Sequence, residues 1–593
     1  MIKLNHLNFQ IYLLSFFILV LGFWSATISY AKNEITSTEA TDFHPNKDNT
    51  ASYSKNYFSS PLEIPLILAG NFAELRNNHF HGGIDIKTMG RQGFNVIAPA
   101  DGYVYRVKAQ WGGYGKAIYL QHPNGLKTVF AHLLKFNPEI DDFFKDQQYK
   151  NKNYALDLYP KPNELFVKKG DVIAISGNSG GSTAPHLHFE IRNAKEETLN
   201  PLLFGFDIED SIPPTINGLM LIPKSENARI DGRNSNRTYS IVGNQSNVIE
   251  GLRQPLVSGK IGFSIKAFDR LNAARNRCGT YSIELLLDGK RIHYQDVEKV
   301  AFSETRYINS LIDYCTSKTR GLRYQKSFID PGNKLSIYDR TVNGVIDFND
   351  NKTHQLKYIV KDVYGATSTL TFTVKSEIPN NNSEISTSPT RFSVNKVNDF
   401  RAENFYISLA STALYNDIDF RYNVISMGSS SWSDKHQVHT YCEPVHSFFN
   451  IWIEPTKEVP PYLIDKLCLV STTSGYEGGY FEGGYLKARS RYFGTFYITI
   501  DTVAPRIRSI DLYNGKNLRG RSRFRMAISD KLSGIASYYP TIDDEWVLME
   551  YDSKYNLLTY FFDKELTNGK HDFKLVVKDK RGNSSVFNST FYY

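Results

Sequence analysis

Cysteine is scarce in this 593-residue chain: Cys278, Cys315, Cys442 and Cys468 are the full set, and none precedes position 278. No two have CxxC spacing, which excludes a thiolate zinc ribbon and a thioredoxin-like redox motif. They fall into two local pairs. In an exported protein the simplest of the three connectivities is Cys278–Cys315 with Cys442–Cys468. Blocks of basic residues are absent as well. The net charge of +8 is spread along the chain with a pI near 8.9. That pattern lacks the footprint of nucleic-acid binding and suits an anionic polymer or wall surface. Long apolar runs are also missing. The one from Ile11 to Trp24 is too short for a comfortable membrane span of about 20 residues. Lys3 precedes it, and Ser29-Tyr30-Ala31 follows with small residues at −3 and −1. The segment reads as a secretory signal peptide cleaved after Ala31, rather than a retained anchor. No cysteine follows it closely, which argues against a lipoprotein. The expected location is therefore the periplasm or cell envelope, with no stable membrane span after cleavage.

Aromatic residues are plentiful: 38 Tyr and 38 Phe, a composition that favours β structure. The fold class expected is mainly β. Residues 1–31 are read as the signal peptide, and 32–57, polar and poor in aliphatics, as a flexible linker. Residues 58–209 carry short β segments with turn punctuation, including Pro123-Asn124-Gly125 between two alternating runs, a hairpin signal. A polar stretch between Phe136 and Glu164 fits neither strand nor helix well, and reads as a loop or short helices. From 210 onward the chain resembles a row of immunoglobulin-like β-sandwich modules. These are 210–376 with insertions, a Pro/Asn/Ser linker at 377–389, 390–500 and 501–593. Three blocks recur in order. Asp210-Ser-Ile-Pro-Pro214 matches Asp501-Thr-Val-Ala-Pro505. Phe263 to Asp269 matches Phe524 to Asp530, and His354 to Gly365 matches His571 to Gly582. No catalytic constellation stands out in these modules, whose partner is expected to be a protein or the wall.

The chemistry gathers around Gly177–Arg192, which reads GNSGGSTAPHLHFEIR. In a strand, His186 and His188 share one face while Leu187, Phe189 and Ile191 share the other. Upstream, His81-Gly82-Gly83-Ile84-Asp85 places a histidine and a carboxylate four apart. A helix is disfavoured by two glycines, and a straight strand would hold the pair about 13 Å apart. A bend at the glycines would fold His81 back over Asp85. A catalytic zinc site needs three protein ligands and one open position. His81, Asp85 and one of His186 and His188 would supply them. A nitrogen/oxygen set without thiolate suits open catalysis, in which the metal acidifies its water and polarises a carbonyl. The spare histidines would handle the proton and the oxyanion. Any one of these histidines alone would more often be structural.

HGGID, then FAHL, then GNSGGSTAPHLHFEIR resembles the lysostaphin/LytM family of zinc metalloendopeptidases, which cut peptide bonds in bacterial peptidoglycan. The resemblance covers roughly residues 60–203. It implies an antiparallel β-sheet groove with one Zn²⁺ held by His81, Asp85 and His188, and catalytic roles for His132 and His186. The implied substrates are peptidoglycan stem or cross-bridge peptides. Phe130 and Ala184 depart from frequent family residues without touching these five positions. The rival readings are a non-catalytic wall-binding or hydrolase-activating protein of the same fold, and a surface adhesion or scaffold protein carried by the β modules. His79, Arg76, Asn78, Tyr119 and Asn178 are lesser candidates around the cleft, and His122 is expected to serve the hairpin.

Overall fold

The computed structural model describes residues 53–593 except 163, 244–245, 250–253, 380–389 and 564. The expected signal peptide, residues 32–52 of the linker and most of the 377–389 linker lie outside the described residues. Among the described residues no helix is long and apolar enough to cross a membrane. The molecule is mainly β, as its aromatic and β-branched alternation implies.

The sheet that carries the histidines runs, in spatial order, Leu68–Gly70, Ile84–Lys87, His186–Arg192, Lys127–Phe136, Lys116–Gln121, Gly102–Ala109 and Phe166–Val167. The named pairs are antiparallel. One face is sealed by Ile84, Ile86, Phe130, Leu187, Phe189 and Ile191, all 0% exposed. Burying such side chains contributes about 1.5–3 kcal/mol each. That fixes the register, because a one-residue slip would carry the set to the wrong face. The polar stretch after Phe136 is a helix, Pro138–Asn151, capped by the Asn137 side chain on the Ile140 N–H. Ile140, Phe143 and Phe144, at i, i+3 and i+4, seat it on the core, a helical spacing that the polar residues around it obscure. Of residues 53–57 of the expected linker, Tyr53 and Tyr57 are half-buried against the core, and Tyr53 meets Phe204 edge-on at 5.3 Å.

The expected bend is present at Gly83, and it brings His81 Nε2 within 3.0 Å of Asp85 Oδ1. Neither Gly82 nor Gly83 has a positive φ, so the bend needs no left-handed backbone. A Cβ on Gly83 would stand 2.2 Å from the Phe189 carbonyl oxygen. The glycine lets two backbones approach. Gly83→Ala is expected to cost about 1–3 kcal/mol by overpacking, read as a lower denaturant midpoint. An unchanged midpoint would refute the close-approach account.

The downstream modules do not form an open row. Thr198–Leu199 pairs with Lys299–Val300, so the histidine sheet takes a strand from an insertion in the next module. That insertion also packs Val300, Ile308, Leu311 and Ile337 against Phe72 and Phe80. The 210–376 sheet closes on itself because Leu256–Phe268 pairs with both Thr215–Pro223 and Thr367–Ser376. Residues 390–500 fold as two five-stranded sheets around Phe405, Ile451, Leu469 and Phe496. Residues 501–593 form a four- and a five-stranded sheet around Phe524, Leu558, Leu575 and Phe591. This last module docks back on the first: Trp546 and Leu548 join the core of the histidine domain, and Trp111 meets Tyr551 at 5.2 Å.

The cysteine expectation is corrected. Cys315 and Cys442 form a disulfide across two modules, while Cys278 and Cys468 are free and buried. Sequence nearness misled because the Tyr314–Arg320 helix lies against the 390–500 module rather than against Cys278.

Candidate metal centre

His81, Asp85 and His188 converge at one point. His81 Nε2 lies 3.0 Å from Asp85 Oδ1 and 2.9 Å from His188 Nδ1, and His188 Nδ1 lies 2.9 Å from Asp85 Oδ1. The Ile84–Lys87 and His186–Arg192 strands bring this about by pairing His188 directly with Asp85. All three residues are buried.

The far sides of the rings fix which atoms face inward. His81 Nδ1 lies 2.7 Å from the Asn71 carbonyl oxygen and donates to it. His188 Nε2 lies 2.8 Å from Glu190 Oε1 and donates to that carboxylate. The opposite nitrogens, His81 Nε2 and His188 Nδ1, are therefore the ones aimed at Asp85. Such outer hydrogen bonds set the tautomer of a metal-binding imidazole. Two ring nitrogens and a carboxylate oxygen about 3 Å apart repel unless a cation or proton lies among them, and three nitrogen/oxygen donors fit a divalent metal. These three residues could thus hold a metal ion.

Charges around the site are arranged to the same end. Burial would raise the Asp85 pKa, but the adjoining histidine rings outweigh it and hold the carboxyl well below the usual range. Arg76 Nη2 holds the other oxygen, Oδ2, at 2.5 Å. Burial would lower His188, but hydrogen bonds to Asp85 and Glu190 push it up to about 9. Glu190 is 0% exposed and tied to Arg192, with Arg192 Nε donating to Oε2 at 2.7 Å. Tyr114 also donates to Glu190, and its ring stacks on His188 at 5.2 Å.

His132 and His186 flank the triad, with ring centroids 4.8 Å apart; His132 is 5.9 Å from His188. His132 Nδ1 donates to the Ser179 carbonyl at 2.9 Å, and His186 Nδ1 to the Ala184 carbonyl at 2.8 Å. Each Nε2 is thus the ring nitrogen not taken by its carbonyl partner. His186 Nε2 is buried, makes no hydrogen bond and stands 3.3 Å from Asp85 Oδ1. Burial and the neighbouring histidines lower His132 to about 3. Its backbone is unusual, with φ +61°. Lys116 pairs with Leu133 but Ile118 with Phe130, so one extra residue bulges here. The bulge turns His132 onto the face it shares with Ala131, away from core-facing Phe130 and Leu133.

All five expected site residues therefore meet. Of the lesser candidates, only Arg76 reaches the triad. Asn78 instead bonds Tyr492 at 3.1 Å and Asn309 at 3.0 Å. His79 is exposed, its Nδ1 on the Asn77 carbonyl. Tyr119 is 2% exposed, and His122 bonds Asp101 and Thr128 within the hairpin region. The Asn178 carbonyl accepts from Lys554 of the last module, as does Gly180 at 3.3 Å. Glu190, Tyr114 and Lys554 were missed. Glu190 was legible, since alternation puts it on the face of His186 and His188. Tyr114 and Lys554 carry no sequence signal.

Residues 79–149 and 157–201 match Peptidase family M23, and residues 389–501 match the Zu5-like domain. A protein of Haemophilus influenzae named "Uncharacterized metalloprotease" is 38% identical over 122 residues, which cover 21% of this chain and 20% of that protein. "DD-carboxypeptidase/endopeptidase Mpg" of Neisseria meningitidis serogroup B is 35% identical over 122 residues, covering 21% and 22%. The chain thus spans about a fifth of the length of the curated relatives it matches. The solved catalytic domain of the antimicrobial peptidase lysostaphin from Staphylococcus simulans is 24% identical, with 23% of this chain and 91% of that chain covered at a TM-score of 0.17.

Proposed function

We propose, from the peptidase M23 domain within residues 79–201, that this protein is an exported zinc metalloendopeptidase acting on peptidoglycan peptides. The observation that carries the reading is the inward convergence of two imidazole nitrogens and one carboxylate oxygen, with two more histidines beside them. His81, Asp85 and His188 would hold the ion. When bound, zinc supplies Lewis acidity, polarising a carbonyl and acidifying a water.

The protein's own groups do the rest. Asp85, pinned by Arg76, presents Oδ1 with little freedom. His132 and His186, oriented by the Ser179 and Ala184 carbonyls, each offer Nε2 to accept a proton from the attacking water and return one to the leaving amine. The Gly177–Ala184 loop between them forms a wall for an extended peptide, and Lys554 steadies it. Relatives named metalloprotease and DD-carboxypeptidase/endopeptidase support the choice of a peptide substrate.

The test uses the full mature chain, because the histidine domain shares its core with Trp546 and Leu548. Digestion of defined muropeptides, with new ends mapped by mass spectrometry, is expected to show one type of peptide bond cut. Chelation should abolish the cut and added Zn²⁺ restore it. A zinc-loaded chain that cleaves no muropeptide or crosslinked peptide would refute the enzyme reading in favour of a binding role.

A further inference from the structure

Three carboxylates outside the metal centre also converge. Asp210 leads into the 210–376 module, Asp269 follows the Leu256–Phe268 strand, and Asp362 follows the Thr353–Lys361 strand. One oxygen of each lies within 4.8 Å of the other two. Asp269 and Asp362 are 4% and 2% exposed. Asp210 Oδ2, Asp269 Oδ1 and Asp362 Oδ2 are all buried with no hydrogen-bond partner. Elsewhere the same carboxylates are anchored: Asp210 Oδ1 accepts from the Ile212 N–H at 3.1 Å, and Asp362 Oδ1 from the Tyr364 and Ala366 N–H groups at 2.9 Å.

A buried polar atom without a partner is costly, and a buried charge more so. Here three carboxylates that each carry such an atom are placed together. Among the described residues, no Lys, Arg or His side chain forms an ion pair with any of them. Burial and then the adjacent Asp210 charge push Asp269 up to about 8, and burial with the Asp362 charge pushes Asp210 up to about 6. An uncompensated cluster of this kind is what a missing cation would resolve.

The donor set names the cation. It is all oxygen, which selects a hard divalent ion over zinc. Calcium binds at about 2.3–2.6 Å, so ligands across one ion stand up to about 5 Å apart; Mg²⁺ is smaller and keeps several waters, which a closed pocket does not favour. We propose that Asp210, Asp269 and Asp362 form a calcium site at the seam between the histidine domain and the 210–376 module. Asp210 and Asp269 line a small cavity there with Asn71, Phe72 and Gly279. Asn71 exchanges two hydrogen bonds with the Gly279 backbone, at 2.7 and 2.8 Å, and its own carbonyl holds His81. The cation would thus pin the module beside the segment that orients the first zinc ligand.

The repeat provides an internal control. Asp501, Asp530 and Asp579 occupy the matching positions and converge likewise. There, however, the oxygens accept from Ser533 N at 3.1 Å, Gly534 N at 2.7 Å and Asn583 Nδ2 at 2.7 Å. The proposal is confined to the first cluster.

The test is a CaCl₂ titration of the zinc-loaded full chain, by calorimetry and by equilibrium dialysis with radioactive calcium. The wild type is expected to bind one equivalent with Kd at or below about 1 mM, and to melt about 2–8 °C higher in saturating calcium. Asp269→Asn and Asp362→Asn should lose that equivalent and the shift, with zinc content unchanged. Asp530→Asn should keep both. Each Asn variant removes a like charge, so the fold should persist without calcium. Should a buried variant misfold, the more exposed Asp210→Asn gives the same readout. The proposal is overturned by no saturable calcium binding below about 1 mM, by saturation with Mg²⁺ alone, by wild-type binding in the Asn variants, or by loss in Asp530→Asn instead.

Discussion

His81→Ala is expected to empty the proposed zinc site and to lower muropeptide hydrolysis at least about 10³-fold, since Lewis-acid stabilisation contributes several kcal/mol to a transition state. The ring contributes one of three converging donor atoms, and the two that remain cannot enclose an ion. The loss should appear first as metal content, near zero by elemental analysis after dialysis against a weak chelator. The substitution also leaves the Asn71 carbonyl, which His81 Nδ1 now occupies, without its donor. Asp85→Asn is therefore the companion variant, because it keeps shape and burial while removing the charge. Both should lose metal. If either retains one zinc per chain and full activity, the ligand assignment is wrong.

His132→Ala is expected to separate binding from turnover. The His132 ring lies 5.9 Å from that of His188 but is not among the three donors, so zinc content should stay at one per chain. kcat should fall by about 10²–10⁴-fold, the usual contribution of a positioned acid–base group, with KM little changed. His186→Ala should behave similarly. It carries an added risk to metal affinity, since His186 Nε2 lies 3.3 Å from Asp85 Oδ1. Elemental analysis beside steady-state kinetics separates the two effects. A His132→Ala variant with wild-type kcat would remove this residue from the reaction. One that loses zinc would make it a ligand.

These assignments differ in how far the sequence carried them. His186 and His188 shared a face by simple alternation, and Leu187, Phe189 and Ile191 had to be the buried row. The same rule would have reached Glu190, which completes the His188 hydrogen bond. His132 followed a different logic. Strict alternation along Lys127–Phe136 would send it to the side of Phe130, into the core. Only the bulge, with φ +61° at His132 itself, turns it to the site, and no residue pattern announces a single inserted residue.

The sequence by itself determined the β class, the faces of the His186–Arg192 strand and the internal repeat, because each depends on local spacing; His132 was reached through the family resemblance alone. The tertiary structure decided what depends on segments far apart. Cys315 bonded Cys442 rather than its near neighbour. The last module folded back onto Trp111 and the Gly/Ser loop. Gly83 proved to serve a close approach to the Phe189 backbone as well as the expected bend. The repeat aligned Asp210, Asp269 and Asp362 with Asp501, Asp530 and Asp579, yet gave no sign that each set meets at a point. Local spacing fixes direction, whereas convergence is set by how faces pack, and packing is decided by shape across the whole fold.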